Sequence, residues 1–307
     1  MSLTSPKRFA RVIMDGWFKK TFGTENHKRL LQLFLQELIP EHQIVHITLD
    51  PTEHVNPYED KKDIRVDVEC HDKDGTRFVV EMQLAFQDDF YERAVFNSSF
   101  AVLQQKKKGE PDYDFPSVYV IGILRFSKHE GSDRIVYRYR LREDHSDEVM
   151  TDRLQYILLE LPNSVRRAKA TDANVLEKFC YALYQLEFFS ERPAEFKEEI
   201  FQLLFDFADL ATFTPDERIK YELAMTTDID RINQLKYARK EGLLQGLEQG
   251  RQEGREEGRE EGKAEGRAEG AREQSLLIAR NLLKAGIPAD VVVRTTGLSP
   301  EEVQGLS

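Results

Sequence analysis

Apolar residues recur along the first half of this chain with two different periods, and the alternation between them predicts its elements. Leu30, Leu31, Phe34, Leu35 and Leu38 fall three and four apart, the spacing of an amphipathic helix over 25–39 that stops near Pro40. A strand over 43–49 follows. Two further strands, 63–71 and 76–84, flank Asp72-Lys73-Asp74-Gly75-Thr76, which predicts a hairpin closed by a three-residue turn with Gly75 in the left-handed region. That turn sets the register. If Asp72 pairs with Thr76, then Cys70 opposes Phe78, Asp67 opposes Glu81 and Arg65 opposes Gln83, with Ile64, Val66 and Val68 on the face opposite Asp67. Residues 88–108 predict a helix that turns Phe90, Ala94, Phe100 and Leu103 inward and ends at Lys106-Lys107-Lys108. Those lysines suit either the negative end of a helix dipole or a phosphate. The unbroken apolar run 118–124 suits a buried strand, the alternating 134–142 an edge strand, and 153–161 a last strand. This order predicts a mixed α/β sheet, not a regular βαβ repeat.

Beyond residue 172 the pattern turns helical, with segments over 174–189, 194–211 and 215–225. Thr214-Pro215-Asp216-Glu217 supplies a cap, a first-position proline and a reciprocal glutamate for the last of these. Glycines then recur every fourth residue from Gly242 to Gly270, preceded by Glu or Gln and, from Gly250 to Gly266, followed by Arg or Lys. In a helix this places a smooth groove between an acidic and a basic ridge. Each glycine costs a helix about 1 kcal/mol against alanine, so the segment is either a charged linker or a helix stabilised by a partner. The strict period favours the partner, and with it a homo-oligomer built through this tail. A short helix over 275–284 and another opened by the Ser299 to Glu302 capping box close the chain. The last helix carries Glu301 and Glu302 and no basic residue, which favours a packing or partner-binding cap over a reader of a DNA groove.

Charge and cysteine usage narrow the setting. The 307 residues carry a formal net charge of −11, so any nucleic-acid contact must be local or metal-assisted. Two cysteines, Cys70 and Cys180, offer no disulfide framework, and no apolar run has the length of a membrane span. The amino-terminal residues lack the apolar core of a signal peptide, and a cytoplasmic location is expected. Gly258 to Lys263 is no phosphate loop, being one residue short and without a preceding strand. His42 and His46, four apart in a strand, are wrongly spaced for the helical zinc motif.

The chemistry lies in the hairpin. Like charges directly opposite in a ladder repel, and a hard cation such as magnesium relieves that repulsion with one or two carboxylates as its protein ligands. Asp67 followed by Glu81-Met82-Gln83 resembles the signature of the PD-(D/E)XK nuclease superfamily in its E-x-Q form. With Asp15-Gly16-Trp17-Phe18-Lys19-Lys20-Thr21-Phe22-Gly23 and Glu25-Asn26-His27-Lys28-Arg29-Leu30-Leu31 upstream, and Phe90-Tyr91-Glu92-Arg93 and Ser117-Val118-Tyr119-Val120-Ile121 downstream, the chain resembles the Rpn family of recombination-promoting nucleases and transposases. The resemblance implies a mixed-sheet α/β nuclease core over 1–170, then a helical region over 171–238, the glycine repeat over 239–274 and a helical cap over 275–307. It implies a magnesium- or manganese-dependent endonuclease acting on DNA in recombination or mobile-element biology. Asp67, Glu81 and Glu25 would hold the metal, Gln83 would stand where the superfamily more often has lysine, and Arg93 and Lys106 would meet phosphate. The competing reading is a weakly active or inactive nuclease fold serving as an oligomeric binding or regulatory module.

Overall fold

A computed structural model describes residues 7–14, 16–54, 63–85, 87, 89–105, 109, 112–129 and 131–306. The chain divides into two units, 1–230 and 231–307. The first is built on a six-stranded mixed sheet. Strands β1 (Ile47–Leu49), β4 (Val68–Asp72), β5 (Arg77–Gln83), β6 (Val118–Leu124), β8 (Leu154–Glu160) and β7 (Val136–Tyr139) lie side by side in that order, while β2 (Glu53–His54) and β3 (Ile64–Arg65) form a separate pair. β6 runs parallel to both β5 and β8, and the remaining pairs are antiparallel. A parallel interior strand must be covered on both faces; every residue of β6 is accordingly buried.

Even-numbered residues of β5, Phe78, Val80 and Met82, enter the larger core. They meet α1 (Trp17–Phe22), α2 (Lys28–Leu38), α5 (Val175–Gln185) and α6 (Glu199–Ala208) there through Phe22, Phe34, Leu35, Phe179 and Phe201. The predicted stripe of α2, Leu30 to Leu38, is fully buried. Odd-numbered Val79 faces the other way, into a second cluster with Ala101 of α3 (Phe90–Leu103). Helix α3 thus covers one sheet face, and α1, α2, α5 and α6 cover the other.

The hairpin forms in the expected register, with Cys70 opposite Phe78 and the Asp72 N–H donating to the Thr76 carbonyl at 3.0 Å. Gly75 takes φ +82, and the Asp72 carboxylate accepts from the Asp74 and Thr76 N–H groups. The first strand is not continuous, however. It breaks at a bend on Asp67, and the Val66 N–H is drawn to the Thr52 carbonyl at 2.9 Å. Arg65 therefore opposes Glu53, not Gln83. Val66 joins Val79 on the α3 side while Val68 enters the main core, because a bend resets the two-residue alternation. Ile64, Val66 and Val68 do not share a face as expected.

The amino-terminal segment packs Ala10, Met14 and Trp17 against Leu210 and Tyr221, and a short helix α4 (Ser164–Arg167) follows β8. Helix α7 (Pro215–Lys284) starts at the predicted cap, the Glu217 carboxylate accepting from the Thr214 N–H at 2.9 Å, and continues unbroken far past residue 225 through the glycine repeat. In the second unit its last turns pack Ala279 with Val292 of α8 (Ala289–Thr296) and Val303 of α9 (Pro300–Gln304). The Ser299 and Glu302 capping box is formed as predicted. No helix among the described residues is long and apolar enough to cross a membrane.

Candidate active site

The site lies on the α3 face of the sheet, at the end of the hairpin. Continuing the register one step beyond Val68 and Val80 sets Asp67 against Glu81. Because Asp67 sits on the bend, one of its carboxylate oxygens turns onto the neighbouring strand and accepts the Met82 N–H at 2.7 Å. The other lies 3.5 Å from Lys19 Nζ on α1. Glu81 is more deeply placed and accepts from Asn97 Nδ2 at 3.2 Å. Burial first, and then the Asp67 charge, push the Glu81 carboxyl up to about 8, against the opposing pull of Arg93 and Lys19. The pair thus holds a proton or needs a cation.

Arg93 and Asn97 stand one turn apart on α3 and so share the face turned to Glu81. Arg93 donates through Nη1 to Gln87 Oε1 at 2.7 Å, and its buried Nη2 has no partner among the described residues. Gln83 is 8% exposed and follows Glu81 on the same strand face. The structure thus brings Asp67, Glu81, Gln83 and Arg93 close together. Glu25 is not: it occupies a 3-10 turn, Glu25–His27, with a side chain 64% exposed and paired to Lys28 at 2.7 Å. No group of three or more acidic, histidine or cysteine residues suited to a metal exists among the described residues. The early turn that precedes α2 leaves Glu25 pointing to solvent, so it does not complete the carboxylate set. Lys106 and Asp15 lie outside the described residues.

Two partners were not singled out as site residues from sequence. Lys19 gave no periodic signal, since it comes from a separate short helix. Asn97 had none either, because α3 also carries Glu92, Arg93, Ser98 and Ser99; only its burial, 7% exposed, marks it. Two carboxylates with one buried and proton-hungry are a donor set that fits magnesium, which needs few protein ligands and takes the rest from water and phosphate. Beside them a cavity of about 110 Å³ opens between α3 and the sheet, walled by Glu81, Gln83 and Arg93 together with Phe90, Tyr91, Gly122, Tyr139 and Tyr156.

The family model described as PD-(D/E)XK nuclease family transposase matches residues 12–238. A second, described as Rpn/YhgA-like nuclease family, C-terminal HTH domain, matches residues 272–307. No curated protein and no solved structure matches the chain.

Proposed function

Since the chain belongs to the PD-(D/E)XK nuclease family transposases and carries the C-terminal HTH domain of the Rpn/YhgA-like nucleases, we propose that it is a magnesium-dependent DNA endonuclease acting in the cytoplasm. The observation that carries this reading is the convergence of Asp67 and Glu81 with Lys19, Arg93 and Gln83 at one end of the hairpin. Asp67 and Glu81 would hold the metal. Bound magnesium, or manganese, supplies the charge that activates a water for attack on phosphorus and neutralises the departing oxygen. Gln83 can orient that water or a phosphate oxygen, but an amide brings no charge. Lys19, 3.5 Å from Asp67, brings the positive charge from another element, and Arg93 brings a second. The test is nicking of supercoiled DNA by purified protein with magnesium and with chelator; no nicking in magnesium refutes the reading.

The division of labour between Gln83 and Lys19 has its own outcome. Gln83→Ala should lower the rate moderately, about tenfold, and Lys19→Met about a hundredfold, the size of losing one charge-stabilising donor. Gln83→Lys should keep the wild-type rate and restore much of it in the Lys19→Met background. Single-turnover rates of the four variants decide this, and a Lys19→Met enzyme of wild-type rate removes lysine from the role.

The HTH domain gives a second DNA contact. Its α9 carries no cation, so phosphate would meet Arg280 and Lys284 at the end of α7 or Arg294 on α8. We also propose that the repeat pairs two copies of the chain. A Cβ added at any glycine from Gly242 to Gly270 would meet nothing within 4 Å, and Leu243, Leu244 and Leu247 are 73, 56 and 67% exposed. Glycines that face open space weaken a helix and return nothing unless a partner approaches. Sedimentation should give an oligomer for the full chain, weakening as salt screens the ridges, and a monomer after truncation at Arg239. An unchanged mass after truncation removes the tail from the interface.

A further inference from the structure

The cavity beside the carboxylates has a chemistry that phosphate binding does not use. Its wall is largely aromatic: Phe90 and Tyr91 from the first turn of α3, Tyr139 from β7 and Tyr156 from β8. Its floor is Gly122, opposite Glu81 in the parallel ladder, where an added Cβ would stand 2.8 Å from Leu158 Cδ2 and 3.1 Å from Phe90 Cζ. Any larger residue would close the space next to Glu81. The Tyr156 hydroxyl is spent on Ser98 at 2.9 Å, so that residue offers its ring. Tyr91 and Tyr139 stand at the outer side, 37 and 36% exposed, with ring centroids 6.1 Å apart and planes inclined by 66°. One face of the Tyr91 ring carries the Lys128 ammonium 3.9 Å from its centroid, so a flat ligand has the other face of Tyr91 or the ring of Tyr139 to stack on, with the edge of the neighbouring ring beside it. Besides Glu81 and Arg93 the wall carries Asn97 and Gln83, buried uncharged amides that suit the donors and acceptors of a heterocycle.

We infer that this cavity takes one extruded nucleobase of the DNA strand whose phosphate lies at Asp67 and Glu81. The volume, about 110 Å³, is several times the 10–15 Å³ or so that one water requires. Glu81 and Gln83 belong at once to the cavity wall and to the carboxylate site, so a base inside puts its own backbone beside them. Arg93, on the same wall with a buried guanidinium nitrogen lacking a partner among the described residues, is placed for the phosphate of that nucleotide. Extrusion costs least from single-stranded or unpaired DNA, so the inference also predicts a preference for such substrates. It rests on the nuclease reading for the position of the phosphate.

The test separates base from phosphate. In EDTA, where no strand is cut, the full-length protein should bind oligo(dT) about tenfold more tightly than an abasic polymer of equal length, the scale of stacking on one aromatic side chain. Tyr139→Leu and Tyr91→Leu should each bring that ratio close to one while leaving the affinity for the abasic polymer unchanged, which also reports an intact fold. A ratio of one in the wild-type protein, or a full ratio in both variants, overturns the inference. Nicking is measured separately in magnesium. Cleavage without a tyrosine-dependent base preference removes the pocket and keeps the nuclease; the preference without cleavage removes the nuclease and keeps the pocket.

Discussion

Replacing Asp67 with asparagine or Glu81 with glutamine is expected to reduce magnesium-dependent nicking by at least about a hundredfold, because each change removes a ligand from a site with two protein carboxylates. Both proteins should stay folded. The Glu81 carboxyl, raised from 4.5 to about 8 by burial and by Asp67, binds a proton in the folded chain at pH values where the unfolded chain has lost it. Its contribution to stability is therefore fully present below about pH 4.5 and is lost as pH rises toward about 8. Metal-free wild-type protein should lose thermal stability across that window. Glu81→Gln should not, and above pH 8 it should be the more stable of the two by on the order of a few kcal/mol. Magnesium competes with the same proton, so at limiting metal the nicking rate should climb with pH to about 8, and magnesium should raise the melting temperature of the wild type alone. A flat pH profile for both proteins, or nicking that survives either substitution, would place the metal elsewhere.

Arg77→Leu should destabilise the first unit by about 3–5 kcal/mol, the cost of leaving a buried charge without its partner. Arg77 Nη1 lies 2.7 Å from Glu69 Oε1, and the Glu69 side chain is 3% exposed. The second Glu69 oxygen meets His54 Nε2 at 2.7 Å, and His54 in turn meets Gln104 at the end of α3. The arginine thus ties the turn end of the hairpin to both β2 and α3. Urea unfolding measures the loss. Glu69→Gln in the same background should recover most of it, because the charge that needed Arg77 is then gone; no recovery would mean that packing of the arginine stem, not charge, is what matters.

The elements that could be read along the chain were those with a strong local cause. The α2 stripe, the Gly75 turn, the buried β6 and both capping boxes each depend on residues within a few positions of one another, and each formed as predicted. So did the pairing of Cys70 with Phe78, since a turn of fixed length leaves a hairpin one register. That register sets Asp67 against Glu81 from the sequence, whereas Gln83 and Arg93 are marked only by the resemblance to the nuclease family.

Features that depend on distant segments were not legible. The bend at Asp67 comes from Thr52, fifteen positions upstream, drawing the Val66 N–H away; a strand pattern of period two holds no trace of that competition. It turned Arg65 toward Glu53 and split Val66 from Val68. Glu25 matched a family position in sequence, yet a turn of 3-10 geometry leaves it at the surface with Lys28. Lys19 reaches Asp67 only because α1 packs beside the hairpin. Sequence alone determined the local conformations and the carboxylate pair of the candidate site, because turn chemistry and side-chain period act over a few residues. Tertiary packing alone decided which cations answer that pair, how far Glu81 is buried, and that an aromatic cavity opens beside it, because these quantities arise where α1, α3 and four strands meet.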